Sequence, residues 1–154
     1  MKQGDTPGLI ARPPLLYLGS ILVGLALQWL QPAAVVPAPW AALLGAPLIV
    51  AAAVVFLLAV LAFRRAGTPI QSVRPTKRIV QTGPYRLSRN PIYLAFTTLH
   101  LGIAFWVNSA WLLGTLLLTL VLMSYGVIAR EERYLERKFG EEYVRYKAAV
   151  RRWF

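Results

Sequence analysis

The polar side chains able to do chemistry fall in two short blocks. One is Thr82-Gly83-Pro84-Tyr85-Arg86-Leu87-Ser88-Arg89-Asn90-Pro91-Ile92-Tyr93, and the other is Arg130-Glu131-Glu132. In the first, Pro91 suits the first position of a helix, where its missing N–H would be unpaired anyway, with Asn90 as the N-cap. Free N–H groups at that helix start favour an anion such as a carboxylate, and Arg89 beside them would bind it bidentately. The plainer alternative is a capped helix start whose Arg86 and Arg89 reach out to lipid phosphates. In the second block, adjacent carboxylates repel each other and are costly to desolvate, so they ask for cationic or hydroxyl partners. A ribose diol or an amine would serve, and so would Arg78, Arg86 or Arg89; an interfacial salt-bridge network is the competing reading.

His100 is the one further ionisable group within an apolar run. It reads either as a functional group inside the membrane or as a neutral imidazole bonded to a neighbouring helix, for example at Ser124 or Tyr125. With no cysteine in the chain, disulfides and thiolate-ligated metals are excluded. Glycine-rich nucleotide loops, zinc-protease helices and serine-hydrolase elbows are likewise missing. Any chemistry must therefore run on Arg, Glu, Tyr, Asn and backbone groups.

The elements that must position these blocks are read from where charge is absent. The chain has 154 residues, 57% hydrophobic and 15% charged, with a formal net charge of +11. No Asp, Glu, Lys or Arg occurs from Pro13 to Phe63 or from Asn90 to Ala129. Lys2, Asp5 and Arg12 precede the first stretch. Seven bases and no acid fill Arg64 to Arg89, Arg74 and Lys77 among them, and the tail from Arg130 carries the rest. This pattern predicts an all-α integral membrane bundle of about four transmembrane helices, over approximately 15–30, 40–63, 92–107 and 111–129. The second is 24 residues, about 36 Å, and spans a bilayer with tilt; the third is short, about 24 Å, so its start should be sunk against protein. Pro32, Pro37 and Pro39 make a tight connection between the first two, and Asn108-Ser109 a hairpin turn between the last two. A tail with Tyr134, Leu135, Phe139, Tyr143 and Tyr146 at spacings of one, three and four predicts an amphipathic C-terminal helix near the head groups.

The single membrane domain 1–154 then divides into an N-terminal helical hairpin, 1–63, and a core, 64–154, holding the basic loop and tail. Basic flanks place loop, tail and both termini on the cytoplasmic side, and composition points to a bacterial inner membrane. They also imply contact with the lipid bilayer and anionic head groups, and no nucleic-acid partner. Residues 1–14 lack the order of a cleaved signal peptide.

Taken together, T-G-P-Y-R-x-x-R-N-P-x-Y at 82–93, R-E-E-x-x-L-x-x-x-F-G-x-x-Y-x-x-Y at 130–146 and V-R-R-W at 150–153 resemble the isoprenylcysteine carboxyl methyltransferase and phospholipid methyltransferase superfamily of small membrane enzymes. The resemblance covers about half of the chain. It implies S-adenosylmethionine enclosed by the loop, the tail and the ends of the last two helices. Gly83, Pro84 and Tyr85 would line the cofactor, and Arg89, Asn90, Pro91 and Tyr93 would hold its amino acid end. Glu131 and Glu132 look like the paired glutamates that bind it, and Tyr143, Tyr146, Arg151 and Trp153 like the tail that closes over it. Asn90 stands where many members have His, which keeps a polar contact but removes a titratable one.

The reading is a membrane methyltransferase that uses S-adenosylmethionine to methylate a lipophilic or amphipathic small molecule, with an isoprenylcysteine-type carboxylate or a phospholipid-type amine as acceptor. Arg89, Glu132 and His100 are the catalytic candidates, the last two as general base if one is used. No metal is expected. The rival is a non-catalytic helical subunit whose basic face docks a partner or anionic lipid.

Overall fold

A computed structural model describes residues 12–67 and 78–153 of the chain. Lys2, Asp5, Arg74 and Lys77, and with them the N-terminal segment, lie outside the described residues. The described residues form α1 (Pro13–Leu30), α2 (Ala38–Arg65), a 3₁₀ turn (Gly83–Arg86), α3 (Pro91–Trp106), α4 (Ala110–Leu122), a π turn (Met123–Ile128), α5 (Ala129–Phe139) and α6 (Glu141–Ala149). Prolines open α1, α2 and α3, where they remove an N–H that has no helical acceptor. Three stretches are long and apolar enough to cross a membrane: α1, α2 and the continuous run from α4 through α5. At 16 residues α3 is shorter, and its start at Pro91, Tyr93 and Ala95 is buried, as its length requires.

The first two helices do not pair chiefly with each other, although they are neighbours in sequence. Instead α2 packs along α3, α1 packs along α4, and α3 lies between α2 and the α1–α4 pair. Small residues explain the α2–α3 seam. In α2 the buried positions are Ala41, Gly45, Ala52, Ala59 and Ala62, packed on the face of α3 that carries Gly102. Lipid tails are as apolar as leucine, so helices in a bilayer gain from close backbone approach more than from hiding large side chains. A Cβ on Gly45 would stand 2.5 Å from the backbone nitrogen of Trp106, and one on Gly102 would stand 3.0 Å from that of Ile49. The large residues of α2 point outward instead, Leu43, Val50, Val54 and Leu57 among them.

The end of the bundle away from the polar blocks is closed by Asn108. Its φ of 56° is left-handed, a conformation that asparagine tolerates better than most residues. There its Oδ1 accepts from the backbone N–H of Val35 (2.8 Å) and Val36 (3.0 Å), and its Nδ2 donates to the Val36 carbonyl (2.7 Å). Trp111 Nε1 donates to the Gln31 carbonyl at 2.7 Å, so the two connections at this end hold each other.

Two features differ from the sequence expectation. The last transmembrane helix does not stop at 129. It passes through a π turn, in which the Ala129 N–H reaches back five residues to the Ser124 carbonyl, and continues to Phe139. The tail is also not one helix: Gly140, at φ 54°, breaks it into α5 and α6, because only glycine takes that backbone conformation without strain.

The seam makes a direct prediction. Gly45→Leu must push α2 off the α3 backbone and should lower the unfolding temperature in detergent, by the ~1–3 kcal/mol typical of overpacking. Gly114→Ala, where an added Cβ meets nothing within 4 Å, should leave it unchanged or raise it slightly.

Candidate active site

At the end where α2 finishes and α3 begins, the 3₁₀ turn, α3, α5 and α6 surround an open-mouthed cleft with a cavity volume of about 110 Å³. Tyr85, Arg89, Asn90 and Tyr93 line it from the loop and α3, Glu131 and Glu132 from α5, and Tyr143 and Tyr146 from α6. These eight are sequence candidates that the fold brings together. Phe63, Ile79, Val80, Ile92 and Leu135 supply apolar wall, and Arg78 a cation.

Local structure explains how each reaches the cleft. Gly83, at φ 60°, turns the chain into the 3₁₀ turn, so that Tyr85 tucks under α2 with its ring 5.1 Å from that of Phe63, edge to face. The π turn inserts an extra residue into the helix and rotates everything after it by about 100°. Met123, Val127 and Ile128 are thereby buried against Tyr17 and Tyr93, and the glutamates that follow face the cleft. The tail is strapped to the loop: Tyr146 donates its hydroxyl to the Tyr85 carbonyl at 2.7 Å, and Arg89 N–H donates to the Arg151 carbonyl at 3.0 Å.

The adjacent glutamates have unlike surroundings. Glu131 accepts from the Tyr93 hydroxyl at 2.9 Å on Oε2. Glu132, with only 7% of its side chain exposed, is gripped by Arg152, whose Nε lies 3.1 Å from Oε1 and whose Nη2 lies 2.6 Å from Oε2. Arg89 Nη1 stands 3.1 Å from the same Oε1. That contact is an ion pair out of line for a hydrogen bond, and among the described residues Arg89 Nε and Nη1 find no acceptor. The Arg89 side chain is 9% exposed, so two donors of a permanently charged group are buried with their hydrogen bonding incomplete.

Electrostatics keep the phenols neutral. The Tyr143 hydroxyl is pushed up to about 12, first by burial and then by the Glu132 carboxylate, against the opposing pull of Arg89. Burial, then Glu131, raises Tyr85, while burial, then Tyr143, raises Tyr146. The Arg152 guanidinium is held further towards its charged form by its hydrogen bonds to Glu132. Near neutral pH the tyrosines are donors and apolar walls, not bases.

Several sequence candidates lie elsewhere. Gly83, Pro84 and Pro91 shape the backbone beside the cleft without lining it. Trp153 packs on the cluster formed by Tyr17, Tyr93 and Met123. The Arg151 side chain faces solvent; in the segment after α6 it is Arg152 that turns inward, a role the sequence reading did not give it. Asn90 precedes α3 but does not cap it, since its Nδ2 donates instead to the Arg152 carbonyl at 3.0 Å, while Ser88 Oγ accepts its N–H. His100 is fully buried between α1 and α4, with Ser20 Oγ 3.5 Å from Nδ1 and Thr115 Oγ1 3.5 Å from Nε2, not Ser124 or Tyr125. It is not among the residues that line the cleft.

Residues 40–142 match the family described as Phospholipid methyltransferase, a stretch that holds the whole cleft except Tyr143, Tyr146 and the Arg152 strap. The chain belongs to the phospholipid methyltransferase family. It is accordingly a membrane methyltransferase, of the superfamily that its two polar blocks resemble. A protein of Haemophilus influenzae, described only as an uncharacterized protein, is 48% identical over 64 residues, which is 40% of this chain and 98% of that protein. No solved structure matches.

Raised phenols tie this methyltransferase's stability to alkali. Unfolded tyrosines ionise near pH 10 and Tyr143 in the folded chain near 12, so the unfolded state sheds protons first and gains as pH rises. Stability should be unaffected by these groups below about pH 10 and fall between about pH 10 and 12. Thermal midpoints across that range should drop, and Tyr143→Phe and Tyr146→Phe should flatten the drop.

Proposed function

We propose that the cleft binds S-adenosylmethionine and that the protein transfers its methyl group to a lipophilic or amphipathic small molecule arriving from the bilayer. The observation that carries this reading is the buried Arg89, two of whose donors find no acceptor among the described residues, on the wall of an open cleft. An α-carboxylate would complete the bonding of that guanidinium. It would also lie at the positive end of α3, whose first N–H groups have no helical partner. Asn90 and Tyr93 stand at the same end, and Glu131 offers a carboxylate suited to a ribose diol. Tyr85, Tyr143 and Tyr146 supply ring surface and neutral hydroxyls for the nucleoside.

A bound sulfonium provides an already activated methyl group. The tasks left to the chain are to align an acceptor and to keep water out. The apolar wall of Phe63, Val80, Ile92 and Leu135 suits the second task and a greasy acceptor alike. Of the two candidate bases, Glu132 is engaged by two arginines and His100 is enclosed by Ser20 and Thr115. Both an isoprenylcysteine-type carboxylate and a phospholipid-type amine suit this cleft; the carboxylate has no proton to lose. Because Arg64, Arg65, Arg78 and Arg86 are exposed around this end, we assign it to the cytoplasmic side of a bacterial inner membrane, in contact with anionic lipid.

Calorimetry with S-adenosylhomocysteine on the purified protein tests the reading. The wild type should bind, and a wild type that does not bind would remove the proposal. Arg89→Lys keeps the charge but loses the fork, and Glu131→Ala removes the diol acceptor; each should weaken binding by roughly tenfold or more. A partner-docking face would tolerate Arg89→Lys.

A further inference from the structure

We propose that Glu132 is not a ligand-binding group but the anchor of the C-terminal strap, and that Arg152 is a positioning residue which, through Glu132, holds Arg89 ready for the ligand's carboxylate. This rests on the cofactor assignment above and divides the paired glutamates into two jobs, Glu131 for the ligand and Glu132 for the protein.

The argument begins with lone pairs. A carboxylate has about four acceptor positions. On Glu132 the Arg152 fork takes two, at 3.1 and 2.6 Å, and Arg89 Nη1 crowds the oxygen that Arg152 Nε already uses. Its side chain is 7% exposed, so turning it towards a ribose would leave two guanidinium groups without their counter-charge, one of them buried. Glu131, bonded to the Tyr93 hydroxyl at the helix start, lines the cleft beside it.

The strap itself is fixed from several directions. The Arg152 carbonyl accepts from Asn90 Nδ2 (3.0 Å) and Ser88 Oγ (3.3 Å), and the Arg151 carbonyl accepts from the Arg89 N–H. Main chain and side chain of this segment therefore converge on Arg89 from both ends, its backbone N–H and its guanidinium. A guanidinium that shares its counter-ion out of line is held in place while keeping donors for another anion, and Arg89 Nε and Nη1 are in that condition. Were Arg152 absent, Glu132 would be free to swing onto Arg89 and satisfy the donors meant for the ligand.

The test compares S-adenosylhomocysteine with 5′-methylthioadenosine, which has the nucleoside but no amino acid end. Full-length wild type should prefer the first. Arg152→Ala should weaken S-adenosylhomocysteine by about tenfold, the worth of a charge-assisted contact, and leave 5′-methylthioadenosine within about twofold. Arg152→Lys, which keeps charge but not the fork, should show the same selective loss to a smaller degree, and it decides the matter if the alanine variant does not fold. Equal loss for both compounds would mean Arg152 only supports the fold, and no loss for either would mean it does nothing for the site; each overturns the proposal. Wild type that binds neither compound defeats the cofactor assignment instead.

Discussion

Glu132 sits in the first turn of α5, buried, with two arginines on it. An isolated carboxylate in that position would be strongly disfavoured, and so would a buried Arg89; each is tolerable because the other is there. Such ion pairs add little net stability, since the attraction mainly repays desolvation. What they do is allow one arrangement and penalise others. Here the partners come from three distant parts of the chain, the loop before α3, the helix after the π turn and the last few residues, so satisfying one carboxylate brings all three together. The cleft is the space that remains between them.

That arrangement depends on helix geometry deeper in the membrane. The α2–α3 seam runs on small residues, which lets the two backbones approach closely and brings Phe63, at the end of α2, onto Tyr85. The positive end of the short α3 is covered by protein, with Pro91, Tyr93 and Ala95 buried. The π turn contributes the remaining rotation. Its register shift is local, yet it decides which way every residue of α5 points, and π turns of this kind recur at functional sites for that reason.

Much of this was legible in the sequence. Charge-free stretches located the first three membrane helices to within a few residues, because burying a charge in hydrocarbon costs so much that its absence is informative. Tyr85, Arg89, Asn90, Tyr93, Glu131, Glu132, Tyr143 and Tyr146 were picked out and do meet at one cleft. Less legible was anything set by three-dimensional neighbours. The π turn leaves little mark in Met123–Ile128: Gly126 is a weak helix former, but a lone glycine in a helical pattern does not specify a π turn. Arg151 and Arg152 are identical side chains, told apart only by which of them the chain after α6 turns towards Glu132. His100 drew attention as an ionisable group in a membrane span, but its partners lie 80 and 15 residues away in sequence, on helices whose pairing the order of the chain does not reveal.

The neutrality of the tyrosines bears on what chemistry this cleft favours. Burial and two carboxylates both oppose phenolate formation, so Tyr85, Tyr143 and Tyr146 keep their protons through any physiological range. Positive charge in the cleft is fixed on arginine, which does not titrate. With Glu132 engaged and His100 remote, the site has almost no group that changes protonation near neutral pH. A site of that kind is poorly equipped for proton transfer and well equipped to hold a charged molecule in one orientation. Methyl transfer from a sulfonium needs the second property far more than the first, because the leaving group departs as a neutral thioether and no proton has to move to release it.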